Sequence, residues 1–146
     1  MRTMLVLAAI ATALVVAVPA AAKVRKLEAN LKGSNEMPAA DPDGSGKAEL
    51  KLNAARKKVC YTITVRKIGQ GQAAHIHKGG KNVASGNIVV PLFNPPQSGN
   101  KFTGCVKHVK RSLIRAILRH PRRYYVNVHT DKFPGGAIRG QLHRPS

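Results

Sequence analysis

Two histidines stand one residue apart in His75-Ile76-His77, inside a short run with apolar residues at every second position. On an extended strand successive side chains point to opposite faces, so both imidazoles share one face, about 6.5 Å apart at the backbone, while Ala74 and Ile76 turn to the other. A second run, Tyr124-Tyr125-Val126-Asn127-Val128-His129, carries Tyr125, Asn127 and His129 on the face opposite Tyr124, Val126 and Val128. Three neutral imidazoles suit Zn²⁺ or Cu²⁺, so His75, His77 and His129 form a candidate copper or zinc site. The condition is that the two runs become neighbouring strands and bring three nitrogens to within about 3–4 Å of one another, as bonds of about 2.0–2.1 Å require. The same spacing also serves histidines that face solvent, or that hydrogen-bond to loop carbonyls and order a turn. His108, His120 and His143 lack it, with His143 a subsidiary fourth candidate because it follows the last apolar run.

Other chemistries have less to stand on. Asp131 is the only acidic residue after Glu49, whereas paired-carboxylate catalysis needs two acids close together. No Gly-x-Ser-x-Gly, P-loop or dinucleotide fingerprint occurs. A non-enzymatic protein is the expectation. The charge balance is extreme: 25 Lys and Arg against 6 Asp and Glu give a net charge of +19, with sixteen of the basic residues between positions 51 and 123. A positive face of this kind attracts polyanions in a salt-sensitive way, and outside a cell these are anionic envelope polymers, acidic glycans, lipid head groups or released nucleic acid. With 4% aromatic residues and no Trp, stacked bases are poorly served, so specific nucleic-acid recognition is not expected. The candidate anion-binding residues are Arg111, Arg115, Arg119, Arg122, Arg123 and Arg139. Arg139 ends the run Phe133-Pro134-Gly135-Gly136-Ala137-Ile138-Arg139, a tight turn into a final strand from whose face the arginine projects.

The elements that must position these residues follow from periodicity. Leu27, Ala29 and Leu31 mark one strand, Ala48, Leu50 and Leu52 a second, and Val59, Tyr61, Ile63 and Val65 a third. Turn chemistry separates them, notably Asp41-Pro42-Asp43-Gly44-Ser45-Gly46 and Gly69-Gln70-Gly71. Further strands are expected at 73–77, 87–93, 102–109, 124–129 and 137–142, and eight short strands predict an all-β sandwich or barrel. One segment departs: Val109, Leu113, Ile114, Ile117 and Leu118 recur at helical spacing, predicting a short helix over 112–119 with Ser112 as its cap and Pro121 as its stop.

Residues 1–22 read as a signal peptide, with Arg2, an apolar run from Leu5 to Val18, the breaker Pro19 and Ala20-Ala21-Ala22 before the cleavage point. The run of about fourteen residues is shorter than the roughly 20 that span a bilayer. A single soluble domain, residues 23–146, is therefore expected outside the cytoplasm, secreted or in the cell envelope. In an exported chain Cys60 and Cys105 most simply pair as a disulfide, the rival readings being two free buried thiols or a soft metal site.

Taken together, Leu31-Lys32-Gly33-Ser34-Asn35-Glu36-Met37-Pro38, Ala74-His75-Ile76-His77-Lys78-Gly79, the 124–130 run and Phe133-Pro134-Gly135-Gly136-Ala137-Ile138-Arg139-Gly140-Gln141-Leu142 resemble the CHRD domain named after chordin. The resemblance implies an exported domain over residues 23–146 that brings no established activity with it, with an immunoglobulin-like or superoxide-dismutase-like antiparallel β-sandwich, a Greek-key barrel. Its more distant likeness is to copper-zinc superoxide dismutase: His75-Ile76-His77-Lys78-Gly79 is similar to the His-x-His copper motif, His129 to a later copper ligand and Arg139 to the arginine that guides superoxide. Between Lys78 and Lys107 there is neither His nor Asp, so the bridging histidine and the zinc-site ligands of the dismutases have no counterpart, and dismutase turnover is not expected.

Overall fold

The computed structural model describes residues 23–146, and the expected signal peptide, residues 1–22, lies outside the described residues. Among the described residues eight strands form in chain order: β1 (Arg25–Lys32), β2 (Ser45–Asn53), β3 (Lys58–Arg66), β4 (Ala73–Lys78), β5 (Asn87–Phe93), β6 (Lys101–Val106), then α1 (Arg111–Arg119), β7 (Tyr124–His129) and β8 (Ile138–Gln141). The period-two residues named above are the reason. Leu27, Ala29 and Leu31 of β1, Ala48, Leu50 and Leu52 of β2, and Val59, Tyr61, Ile63 and Val65 of β3 are all buried, while the intervening positions face outward.

All strand pairs are antiparallel, and the spatial order is β5-β4-β7-β8-β1-β2-β3-β6. The edge strands β5 and β6 approach each other, so the sheet curls into a nearly closed, barrel-like body with its core inside. Chain neighbours are not always spatial neighbours: β4 pairs with both β5 and β7, and this places the His75-Ile76-His77 strand beside the His129 strand. Among the described residues no helix is long and apolar enough to cross a membrane.

Several boundaries differ by a residue from the periodic reading, β4 ending at Lys78 and β8 spanning Ile138–Gln141, and two differ for a visible physical reason. The helix begins at Arg111, with Lys110 at the N-cap and no side-chain cap bond, so Ser112 lies within the first turn. Its register is set by packing: Ile114 and Ile117 are buried in the core beside Val109, and the first helical bond runs from Ile114 N–H to Lys110 O at 3.1 Å. Strand β6 ends at Val106 because His108 takes φ 61° and Val109 N–H turns back to Lys57 O at 3.0 Å. Cys60 and Cys105 stand opposite each other on β3 and β6 and are joined by a disulfide.

Candidate metal centre

The site lies on the outer face of the β4–β7–β8 portion of the barrel. Ala74 and Ile76 are buried in the core, which turns His75 and His77 outward; in the same way Val126 and Val128 point inward and Tyr125, Asn127 and His129 outward. The pairing of β4 with β7 sets His75 opposite Asn127 and His77 opposite Tyr125, with His129 one outward-facing position further along, opposite Ala73. His75 and His129 are therefore diagonal neighbours, within reach of each other's rings.

The three imidazoles converge. One ligand atom from each of His75, His77 and His129 lies within 4.8 Å of the other two, and the ring centroids are 4.9 Å (His75 to His129), 5.5 Å (His75 to His77) and 6.4 Å (His77 to His129) apart. Backbone carbonyls determine which nitrogens carry protons. A carbonyl only accepts, so His77 Nδ1–H donates to Gly86 O at 2.7 Å and His129 Nδ1–H donates to Pro134 O at 2.9 Å. A neutral ring has one N–H, which leaves a lone pair on Nε2 of both residues. The His129 lone pair accepts from His75 Nδ1–H at 3.0 Å. Nε2 of His77 is buried and has no protein partner.

The widest spacing exceeds the 3–4 Å expected of three nitrogens around one ion. His75 and His129 are held to each other by their own hydrogen bond, so ligation through those two atoms requires that bond to be given up and the three rings to draw closer together. Burial, reinforced by the neighbouring His129 and His77, lowers the pKa of His75 to about 4. Burial also lowers that of His129, opposed by its bond to Pro134 O. Both rings are thus neutral at pH 7, the form that binds metal. Carbonyl bonds that orient two of the three rings are the usual outer shell of a metal-ligating histidine. His143 is not one of the converging residues; its backbone pairs with Glu28 of β1.

Arg139 is not the projecting, anion-guiding side chain expected from the sequence. It is 1% exposed. Its Nη1–H donates to Val83 O at 2.9 Å and its Nη2–H to Lys81 O at 3.0 Å, while its guanidinium lies 4.5 Å from the centre of the Tyr125 ring. The cause is the 79–86 segment, which folds back over β8 and encloses a face that alternation alone leaves open. Glu36 reaches the same layer, with Arg139 Nε 4.0 Å from its carboxylate, and burial raises its pKa to about 7 against the opposing pull of Arg139. By contrast Arg111, Arg115, Arg119, Arg122 and Arg123 are exposed on α1 and the turn that follows it.

Four residues of this layer carry no signal as site residues when read singly: Tyr125, which stacks on His77 with centroids 4.8 Å apart and planes 4° from parallel; Gly86; Gln141; and Glu36. Tyr125 was recoverable, since it shares a face with His129. The model of the CHRD domain matches residues 27–142, which is most of the chain. The chain belongs to the CHRD domain family. No curated protein and no solved structure matches it. The CHRD match takes in every strand from β2 to β8 and all but the first two residues of β1, and with them the three histidines, Glu36 and Arg139. Membership makes the domain a binding or structural module in its broad class.

Proposed function

We propose that this CHRD protein is an extracytoplasmic, non-enzymatic binding module that holds copper or zinc through His75, His77 and His129. The observation that carries the reading is the buried Nε2 of His77, a lone pair without a protein partner in a cluster whose other rings are neutral and oriented. Leaving such an atom unsatisfied costs about 1–3 kcal/mol, and a metal ion would satisfy it. Bound there, the ion would polarise whatever small ligand filled its remaining positions; sequestration is the role proposed. Export is supported by the 1–22 leader pattern and by the Cys60–Cys105 bridge. Calorimetric titration of the mature protein with Zn²⁺ and Cu²⁺ tests the site. The expected result is one equivalent bound with micromolar or tighter affinity above pH 7, lost in His75→Ala, His77→Ala and His129→Ala. No uptake, or uptake indifferent to all three substitutions, ends the proposal.

A second reading concerns placement. Five exposed arginines, Arg111, Arg115, Arg119, Arg122 and Arg123, lie on one element and its turn, within a stretch of chain that has no acidic residue between Glu49 and Asp131. They favour retention of the module at anionic envelope polymers or acidic glycans, tested by elution from an anionic resin as salt is raised.

A further inference from the structure

Arg139 lies on β8 opposite Asn127 of β7, the strand that carries His129, and does not hydrogen-bond to any of the three rings. Its fork of donors is spent on backbone instead: Nη1–H on Val83 O at 2.9 Å and Ala84 O at 3.4 Å, Nη2–H on Lys81 O at 3.0 Å. These carbonyls belong to the segment between β4 and β5, whose near end is fixed by Gln141 Nε2–H to Gly79 O at 3.0 Å. Its far end is Gly86. There the backbone N–H donates to Tyr125 Oη at 3.1 Å and the carbonyl receives His77 Nδ1–H. A Cβ at Gly86 would run into the carbonyl of Lys78, so this close return of the chain needs glycine. The Tyr125 ring is in contact with both the guanidinium and the His77 imidazole.

We propose that Arg139 is a positioning residue: by holding the 81–84 carbonyls it sets the Gly86 carbonyl against His77, fixing that ring as the Nδ1–H tautomer and leaving Nε2 as its lone-pair atom. Which imidazole nitrogen keeps the proton is set by the hydrogen bond the ring makes, so the tautomer reports the loop directly. Only a planar, multidentate donor spans three carbonyls; a lysine ammonium is a point donor and holds fewer of them. The effect on metal binding rests on the three-histidine reading above, whereas the tautomer does not.

The experiment uses mature metal-free protein with Arg139→Met and Arg139→Lys, reading the His77 ring ¹⁵N shifts by NMR and then the Zn²⁺ dissociation constant by titration. Wild-type protein is expected to show a single Nδ1–H tautomer at His77. Arg139→Met is expected to give a mixture of tautomers and a loss of zinc affinity of about 10–100-fold, with Arg139→Lys intermediate in both. A lower melting temperature with the His77 tautomer and the zinc affinity unchanged makes Arg139 a structural residue only and overturns the proposal. If Arg139→Met does not fold, Arg139→Lys decides, a mixed tautomer supporting the role and a single Nδ1–H form overturning it. Wild-type protein that takes up neither Zn²⁺ nor Cu²⁺ defeats the metal reading, while the tautomer measurement still settles what Arg139 does.

Discussion

Glu36 and His75 sit in the same outer layer and burial shifts them in opposite directions, with opposite consequences for stability. The folded-state pKa of Glu36 is raised from 4.5 to about 7, so between those values the native protein keeps a proton that the unfolded chain has released. Stability from this group therefore falls as pH rises from 4.5 to 7, and above pH 7 the buried carboxylate costs on the order of 3 kcal/mol. For His75 the folded-state pKa drops from 6.5 to about 4, so its contribution is lost as pH falls through that window. Glu36→Gln separates the two. In urea unfolding it should be more stable than wild type at pH 8, with the advantage shrinking steadily toward pH 4.5; an advantage that does not change with pH would falsify the assignment. The three candidate ligands were legible because a two-residue period places alternate side chains on one face. Their carbonyl partners on Gly86 and Pro134 were not, since a backbone acceptor has no side-chain signature.

Among the elements, β3 and β6 are joined both by ladder bonds and by the Cys60–Cys105 bridge, which links positions 45 residues apart in sequence. In the chain-entropy account a cross-link of that span restricts the unfolded chain by about 4 kcal/mol. The double variant Cys60→Ser/Cys105→Ser should therefore lose up to about that much unfolding free energy in guanidinium titration, and a loss below about 1 kcal/mol would show that the closed loop matters little. The strands were readable from apolar alternation, and β1 to β3 show why, since every residue named for their inner faces is buried. The helix start was not. Ser112 offers a good cap chemically, but burial of Ile114 and Ile117 fixes the rotation of α1, and the chain enters it one residue before the serine.

At the scale of the whole molecule the charge is strongly one-signed, 25 Lys and Arg against 6 Asp and Glu, which sets the expectation for association with polyanions. Elution from heparin or an anionic envelope polymer should shift steeply to weaker binding with added salt, and the double variant Arg115→Glu/Arg119→Glu should elute at lower salt with its melting temperature nearly unchanged, because both side chains are exposed. Binding that ignores ionic strength would remove the electrostatic account. The sequence by itself determined the all-β class, the number of strands, the excess of positive charge and the shared face of His75 and His77, because strand period and composition are local properties of the chain. Tertiary structure decided that β7 lies against β4 and so brings His129 to the pair, and that the 79–86 segment closes over Arg139. Both depend on contacts between residues about 50 or more apart in the chain, whose formation is governed by barrel closure and loop burial and leaves no local pattern.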